Sequence, residues 1–251
     1  MDWKITDINT GIGCVAGIRT RFEDAAGLIS AMDTYRISNA VVFHTDALRD
    51  VHRGNALAAE AAQASGGRLS SCYVLRSDIG GSEMPAADVL LAQLRSEKPA
   101  AVKLYPNAHR YILNEFYAGE LLDVLNELHM PVLFDSDQKP SYESLPDLAK
   151  RYPNIKFIML RQAICESRYA RPLIEKLDNV FIDAGIMIDT CFIEELVNKF
   201  GSSKLLFGSG MPVYMPAGAL GMIVYSRISD DDKQAIFSGN WNRIQEEIKW
   251  A

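Results

Sequence analysis

The sequence is short of the features that mark several large protein classes. Its four cysteines, Cys14, Cys72, Cys165 and Cys191, are scattered through 251 residues with no C-x-x-C pair. That spacing argues against a disulfide framework or a cysteine-bound zinc, and for reduced thiols. No apolar run approaches the ~20 residues that a membrane-spanning helix needs, so no membrane partner is expected. There is no long basic run, and 26 Lys and Arg against 32 Asp and Glu leave a formal net charge of −6. Nucleic acid is therefore not expected as the main partner. The N-terminus, Met-Asp-Trp-Lys-Ile-Thr-Asp, lacks the basic start and apolar centre of a signal peptide, which predicts a cytoplasmic protein. The G-x-G-x-x-G frame is missing too: Gly11-Ile12-Gly13 is followed by Ala16 and Gly17, out of register for a dinucleotide. Ser209 lies in Gly208-Ser209-Gly210 rather than in a G-x-S-x-G turn, so it is a poor candidate nucleophile. No short-period repeat or low-complexity tract is present.

What remains is a chain that is 48% apolar, enough for a large core, at a length that suits one α/β barrel. Short apolar runs at 3–8, 39–44, 69–75, 100–104, 131–134, 155–160, 180–183 and 204–207 read as strands. Helical segments fall between them: 22–35, 48–65, 116–128, 142–151, 168–177 and 190–200, with one more opening at Pro85 and ending before Pro99. A glycine-rich loop is expected from Asn9 to about Arg21, and Ser229-Asp230-Asp231-Asp232 resembles a capping box before a closing helix. None of the strands alternates apolar with polar residues, which is the pattern of a parallel sheet covered on both faces. The fold predicted is a single (β/α)8 TIM barrel forming one domain over 1–251, with an open doubly wound sheet as the alternative.

Barrel sites gather at the C-terminal tips of the strands. That places Asn9, His44, Arg76, Lys103, Tyr105, Asp135, Arg161, Asp183 and Ser209 around one mouth. Asn9, Lys103, Tyr105, Asp135, Arg161 and Asp183 are the candidate ligand-binding set, and His44, Lys103 and Asp135 the candidates for catalysis. Lys103, Arg161 and Arg76 have the chemistry to clamp a carboxylate or phosphate. Arg161 and Asp135 can equally neutralise each other as a structural pair. His44 is the only histidine at a strand tip and suits acid–base work or a plain hydrogen-bonded role. His52 and His129 read as surface or packing residues, and His109 borders the mouth from the loop 107–114. Cys14 has no histidine beside it to activate its thiol. Met211 and Tyr214-Met215-Pro216 form an apolar loop suited to a lid, a pocket wall or a homo-oligomer contact.

Several fragments resemble the amidohydrolase superfamily in its amidohydrolase-related (family 2) branch. Val102-Lys103-Leu104-Tyr105-Pro106 is similar to the family's fourth strand, and Tyr152-Pro-Asn-Ile-Lys-Phe-Ile158 to the entry of its sixth. Asn179-Val-Phe-Ile-Asp183 resembles the seventh, and Ser229-Asp-Asp-Asp-Lys233 with Gly239-Asn-Trp-Asn-Arg243 the terminal signature. Lys204-Leu-Leu-Phe-Gly-Ser-Gly-Met-Pro212 resembles the last strand, F-G-S-D-x-P, whose Asp activates a water beside a metal. The resemblance implies a barrel and a metal-dependent hydrolase, yet its chemical positions differ here. The family's first strand ends D-x-H-x-H-x-G, and Asp7-Ile-Asn-Thr-Gly-Ile-Gly13 puts Asn9 and Gly11 at the two His places. Asp135 ends Pro131-Val-Leu-Phe-Asp where the family has His, Arg161 follows Leu160 where another His is expected, and Gly210 takes the place of the Asp. A catalytic cation needs about three N or O ligands, so no metal and no other cofactor is expected.

Three functions are consistent with this reading. One is a pseudoenzyme, or non-catalytic relative, that binds a small anionic molecule or a partner protein. The second is a metal-independent hydrolase, lactonase or decarboxylase acting on a small carboxylated substrate. The lactonases of this kind in the superfamily keep the Asp that is Gly210 here. The third is a metal hydrolase with relocated ligands.

Overall fold

The computed structural model describes residues 2–77, 84–161, 166–185 and 191–251. Its strands are β1 (Thr6–Ile12), β2 (Asn39–His44), β3 (Leu69–Leu75), β4 (Ala101–Leu104), β5 (Pro131–Phe134), β6 (Lys156–Met159), β7 (Val180–Asp183) and β8 (Leu205–Leu206). They form one parallel sheet in sequence order. β8 returns to β1 through Ile8 N–H to the Phe207 carbonyl (3.0 Å), Gly210 N–H to Asn9 (2.9 Å) and Gly11 N–H to Met211 (2.9 Å). These bonds curl the sheet into a nearly closed (β/α)8 barrel.

The helices α1 (Ala25–Thr34), α2 (Val51–Ala64), α3 (Ala87–Glu97), α4 (Glu115–Glu127), α5 (Leu145–Arg151), α6 (Ser167–Lys176) and α7 (Phe192–Phe200) each follow a strand. Their starts use local chemistry: Asp24, Asp50 and Asn114 accept from Gly27, Arg53 and Tyr117 N–H, satisfying donors that a first turn leaves open. Two apolar cores result. Ile8, Val41, Cys72, Ala101, Leu133, Ile158, Phe181 and Leu206 fill the barrel, closed from below by Trp241 and Ile244 of the last helix. The opposite strand faces, including Val42, Val74, Val102, Val132, Phe157 and Ile182, pack under the helices. This two-faced burial is why no strand alternates in polarity.

Several of the expected segments have different bounds, α1 and α2 beginning at Ala25 and Val51 rather than at 22 and 48. β1 runs to Ile12, so Asn9 lies within the strand and not in a loop; Gly11 pairs with Phe43 and Ile12 with His44. The glycines suggested a loop, but β2 supplies enough backbone partners to continue the ladder, with a register shift between Asp7 and Thr10. α3 starts at Ala87, two residues beyond Pro85. α5 starts at Leu145 with proline in its first turn rather than at Tyr142. Pro216 opens an additional helix, α8 (Pro216–Val224), in a segment read as loop. The closing helix is α9 (Asp230–Gln234), a π turn over 235–239 and α10 (Asn240–Glu246). Ser229 caps it by accepting from Asp232 N–H, while Asp232 accepts from the Ser229 hydroxyl (2.6 Å). Cys165 and the expected helix start at Thr190 lie outside the described residues. Among the described residues no helix is long and apolar enough to cross a membrane.

Candidate functional site

Lys103 anchors the centre of the barrel mouth. Its neighbours Val102 and Leu104 face the helices, so alternation along β4 turns Ala101 and Lys103 into the barrel. The side chain is 3% exposed, and its Nζ donates to Asn9 Oδ1 (3.1 Å) and to Asp135 Oδ2 (3.3 Å). The ammonium also sits 4.4 Å from the centroid of the Phe43 ring, a cation–π contact. Asp135 follows Leu133 on the inward face of β5 and is shared by three groups. Besides Lys103, it accepts from Tyr105 OH (2.9 Å) and from Arg161 Nη2 (3.4 Å). Burial alone would raise its pKa, but Lys103, Arg161 and the Tyr105 hydroxyl outweigh that and hold it below the ordinary carboxylate value. Burial, with Asp135 beside it, pushes the Tyr105 phenol well above its usual value, so it stays a donor.

Arg161 adopts a left-handed backbone conformation (φ 51°), uncommon for a side chain of this size. Its N–H faces Asp183 Oδ2 (3.4 Å), and its guanidinium lies 5.1 Å from the centroid of the Tyr214 ring. Tyr214 reaches this place because of Gly210. Gly210 has φ 74°, and a Cβ there would stand 2.8 Å from Tyr214 Cδ2. Two donor atoms in this cluster, Arg161 Nε and Asn9 Nδ2, are buried without an acceptor among the described residues.

Two further carboxyls lie beneath the mouth, both fully buried. Asp183 Oδ1 accepts from Gly185 N–H (2.7 Å) and Gly208 N–H (3.0 Å), and Asp7 Oδ1 from Ser209 N–H (2.9 Å) and Asn9 N–H (3.1 Å). They tie the ends of β1, β7 and β8 together. Burial is the main cause that raises Asp7 to about 6 and Asp183 to about 7.

The remaining tip residues go elsewhere. His44 Nδ1 accepts from Asp46 N–H (3.1 Å) to cap the 3-10 turn 45–48, so its proton is on Nε2; burial lowers its pKa. No hydrogen bond or ion pair among the described residues joins it to Lys103, Asp135 or Arg161. Arg76 lines a separate cavity of about 520 Å³ between α3 and α4. Ser209 is buried, with its hydroxyl accepting from Met211 N–H (3.1 Å). His109 meets the Tyr105 ring edge-on at 6.1 Å between centroids. Cys72 lies beneath Lys103 with its thiol pushed up to about 12 by burial, which removes it as a nucleophile. Asp7 and Phe43 adjoin the mouth without having been singled out as site residues, whereas Tyr214 belongs to the apolar loop expected as a lid or pocket wall. An aromatic on an inward-facing strand position was the available signal for Phe43.

Residues 16–243 match the amidohydrolase family, family 2 of that name. The chain belongs to that family. Asn9 and Gly11 precede the matched segment, whereas Asp135, Arg161 and Gly210 lie inside it. No curated protein matches the sequence. Among solved structures, an uncharacterised TIM-barrel protein from Bordetella bronchiseptica superposes with a TM-score of 0.76 at 14% identity, covering 97% of this chain and 99% of that one. A 5-carboxyvanillate decarboxylase from Sphingomonas paucimobilis gives 0.73 at 11% identity, covering 98% and 100%. A probable 2-pyrone-4,6-dicarboxylic acid hydrolase from Acinetobacter baumannii, with citric acid bound, gives 0.71 at 13% identity, covering 98% and 100%. At such identities these neighbours establish the fold alone.

Proposed function

We propose that this amidohydrolase-family barrel binds a small carboxylate-bearing anion at its mouth without a catalytic metal. The observation that carries this reading is the charge balance around Asp135. Two cations, Lys103 and Arg161, converge on one carboxylate, and the donors Arg161 Nε and Asn9 Nδ2 have no acceptor among the described residues. Asp7 and Asp183 lie beneath this cluster with their Oδ1 atoms held by backbone N–H groups, and no side-chain ion pair among the described residues joins either to Lys103 or Arg161. A carboxylate accepting from Arg161 and Asn9 would satisfy both donors. The same residues do not fit a divalent cation. Lys103 and Arg161 bring positive charge to the centre, Asp135 is already shared by three donors, and no three His, Cys, Asp or Glu side chains gather among the described residues.

Thermal melting with a set of small mono-, di- and tricarboxylates tests this. The expected result is a rise in Tm for at least one acid that is absent in Arg161→Met. Equal responses in both proteins, or none in either, would overturn it.

A second reading is a metal-independent decarboxylase or hydrolase acting on the bound acid. It is favoured by Asp183, a carboxyl titrating at about 7 whose Oδ2 faces the Arg161 backbone. Structural neighbours named for a decarboxylase and a dicarboxylic acid hydrolase add weight to a carboxylated ligand. Incubating each stabilising acid with the protein, and following carbon dioxide release and new products, separates binding from turnover.

A further inference from the structure

Outside the barrel, α1 and the segment 211–216 enclose a half-open cavity of about 490 Å³. Its wall is apolar along Phe22, Met211 and Val213, and polar at Arg19, Arg21 and Tyr35. No Asp or Glu lines it, and neither Arg19 nor Arg21 is ion-paired with any described residue. The volume falls within the ~300–1,000 Å³ typical of small-ligand sites.

We propose that this groove is a second binding site, for a small amphipathic anion. Its acidic head, a carboxylate, sulfonate or phosphate, lies on Arg19 and Arg21, and its apolar body lies along Phe22, Met211 and Val213. Guanidinium pairs suit such a head because each offers a planar fork of donors to two oxygens. Tyr214 is the wall between this groove and the mouth, since the same ring lines the cavity and covers Arg161. The two sites are thus neighbours with separate cations.

Fluorescence titration with anilinonaphthalene sulfonate tests the assignment, with uncharged phenylnaphthylamine as the matched body lacking the acid. Wild type is expected to bind the sulfonate saturably and more tightly than the uncharged probe. Arg19→Ser with Arg21→Ser should weaken the sulfonate by about tenfold or more, leave the uncharged probe unchanged and keep the melting temperature. Arg161→Met, which removes a cation of the mouth but keeps Arg19 and Arg21, should retain saturable sulfonate binding. The proposal is overturned by an absence of saturable binding, by equal weakening of both probes, or by a loss seen only in Arg161→Met. It is also overturned if the groove takes no probe because a second copy covers it, which gel filtration would reveal as a dimer broken by the double substitution.

Discussion

Asp135 is the residue on which the mouth depends, and its three partners are unequal. Lys103 is the more deeply buried cation and is ion-paired with no other carboxylate among the described residues, whereas Arg161 is 22% exposed and approaches at 3.4 Å. Removing Asp135 therefore strands a buried ammonium, while removing Arg161 leaves Asp135 with Lys103 and Tyr105. Asp135→Leu is expected to cost about 3–5 kcal/mol, and Lys103→Met added to it should recover much of that. Arg161→Met is expected to cost only about 1 kcal/mol, the scale of one long, partly solvated ionic hydrogen bond. Denaturant melts of the four proteins check the order; an Arg161→Met variant as unstable as Asp135→Leu would contradict it. The sequence pointed to an Arg161–Asp135 pair. It could not rank Lys103 above Arg161, because the ranking depends on depth in the barrel and on the left-handed turn at Arg161.

At the scale of elements, the strand ends are held by side chains that read as family fragments in the sequence. Asn179 Nδ2 reaches the carbonyls of Ala149, Tyr152 and Ile155, all within 3.1 Å, and Asn240 Nδ2 those of Ser202 and Leu205 at 2.8 Å. The motifs were legible because these bonds fix which residue must stand there. The extension of β1 and the helix α8 were not, since partner strands decided them over local glycine and proline content. Asp7 and Asp183 do similar work between strands, but as buried acids they make it pH-dependent. For a carboxyl raised by folding, the folded chain keeps its proton from the unfolded value near 4 up to about 6 or 7. Stability is then greatest at the low end of that window and falls as pH rises through it. Asp135, held low, works the other way: its contribution is present above about 4 and is lost as pH falls through its folded value. Asp7→Asn keeps an acceptor for Ser209 and Asn9 N–H while removing one buried charge. Its Tm should drop less between pH 5 and pH 8 than that of wild type. Parallel melting curves for the two proteins would show that Asp7 does not titrate in this window.

Over the whole molecule, the family's fold is kept, and the positions that resemble the family's ligand places face bulky side chains from other elements. Phe43 lies against Gly11, where an added Cβ would stand 2.8 Å from the ring. Tyr214 lies against Gly210 at the same separation, and Lys103 Nζ fills the space in front of Asn9. The glycines stood out in the sequence at places where the resemblance expects ligands; the aromatics and the lysine beside them did not, because they come from other strands and loops. Introducing the ligands that the resemblance expects should therefore fail on its own. Asn9→His, Gly11→His and Gly210→Asp together would set two imidazoles against Phe43 and Lys103, and an aspartate against Tyr214 on a backbone at φ 74°. That triple variant is expected to melt below wild type and to hold no stoichiometric zinc by elemental analysis after dialysis. Adding Phe43→Ala, Lys103→Gln and Tyr214→Ala clears the space and removes the central cation, and zinc uptake should then become measurable. If the triple variant alone takes up one zinc per chain, the obstacle is ligand identity and not the occupied volume.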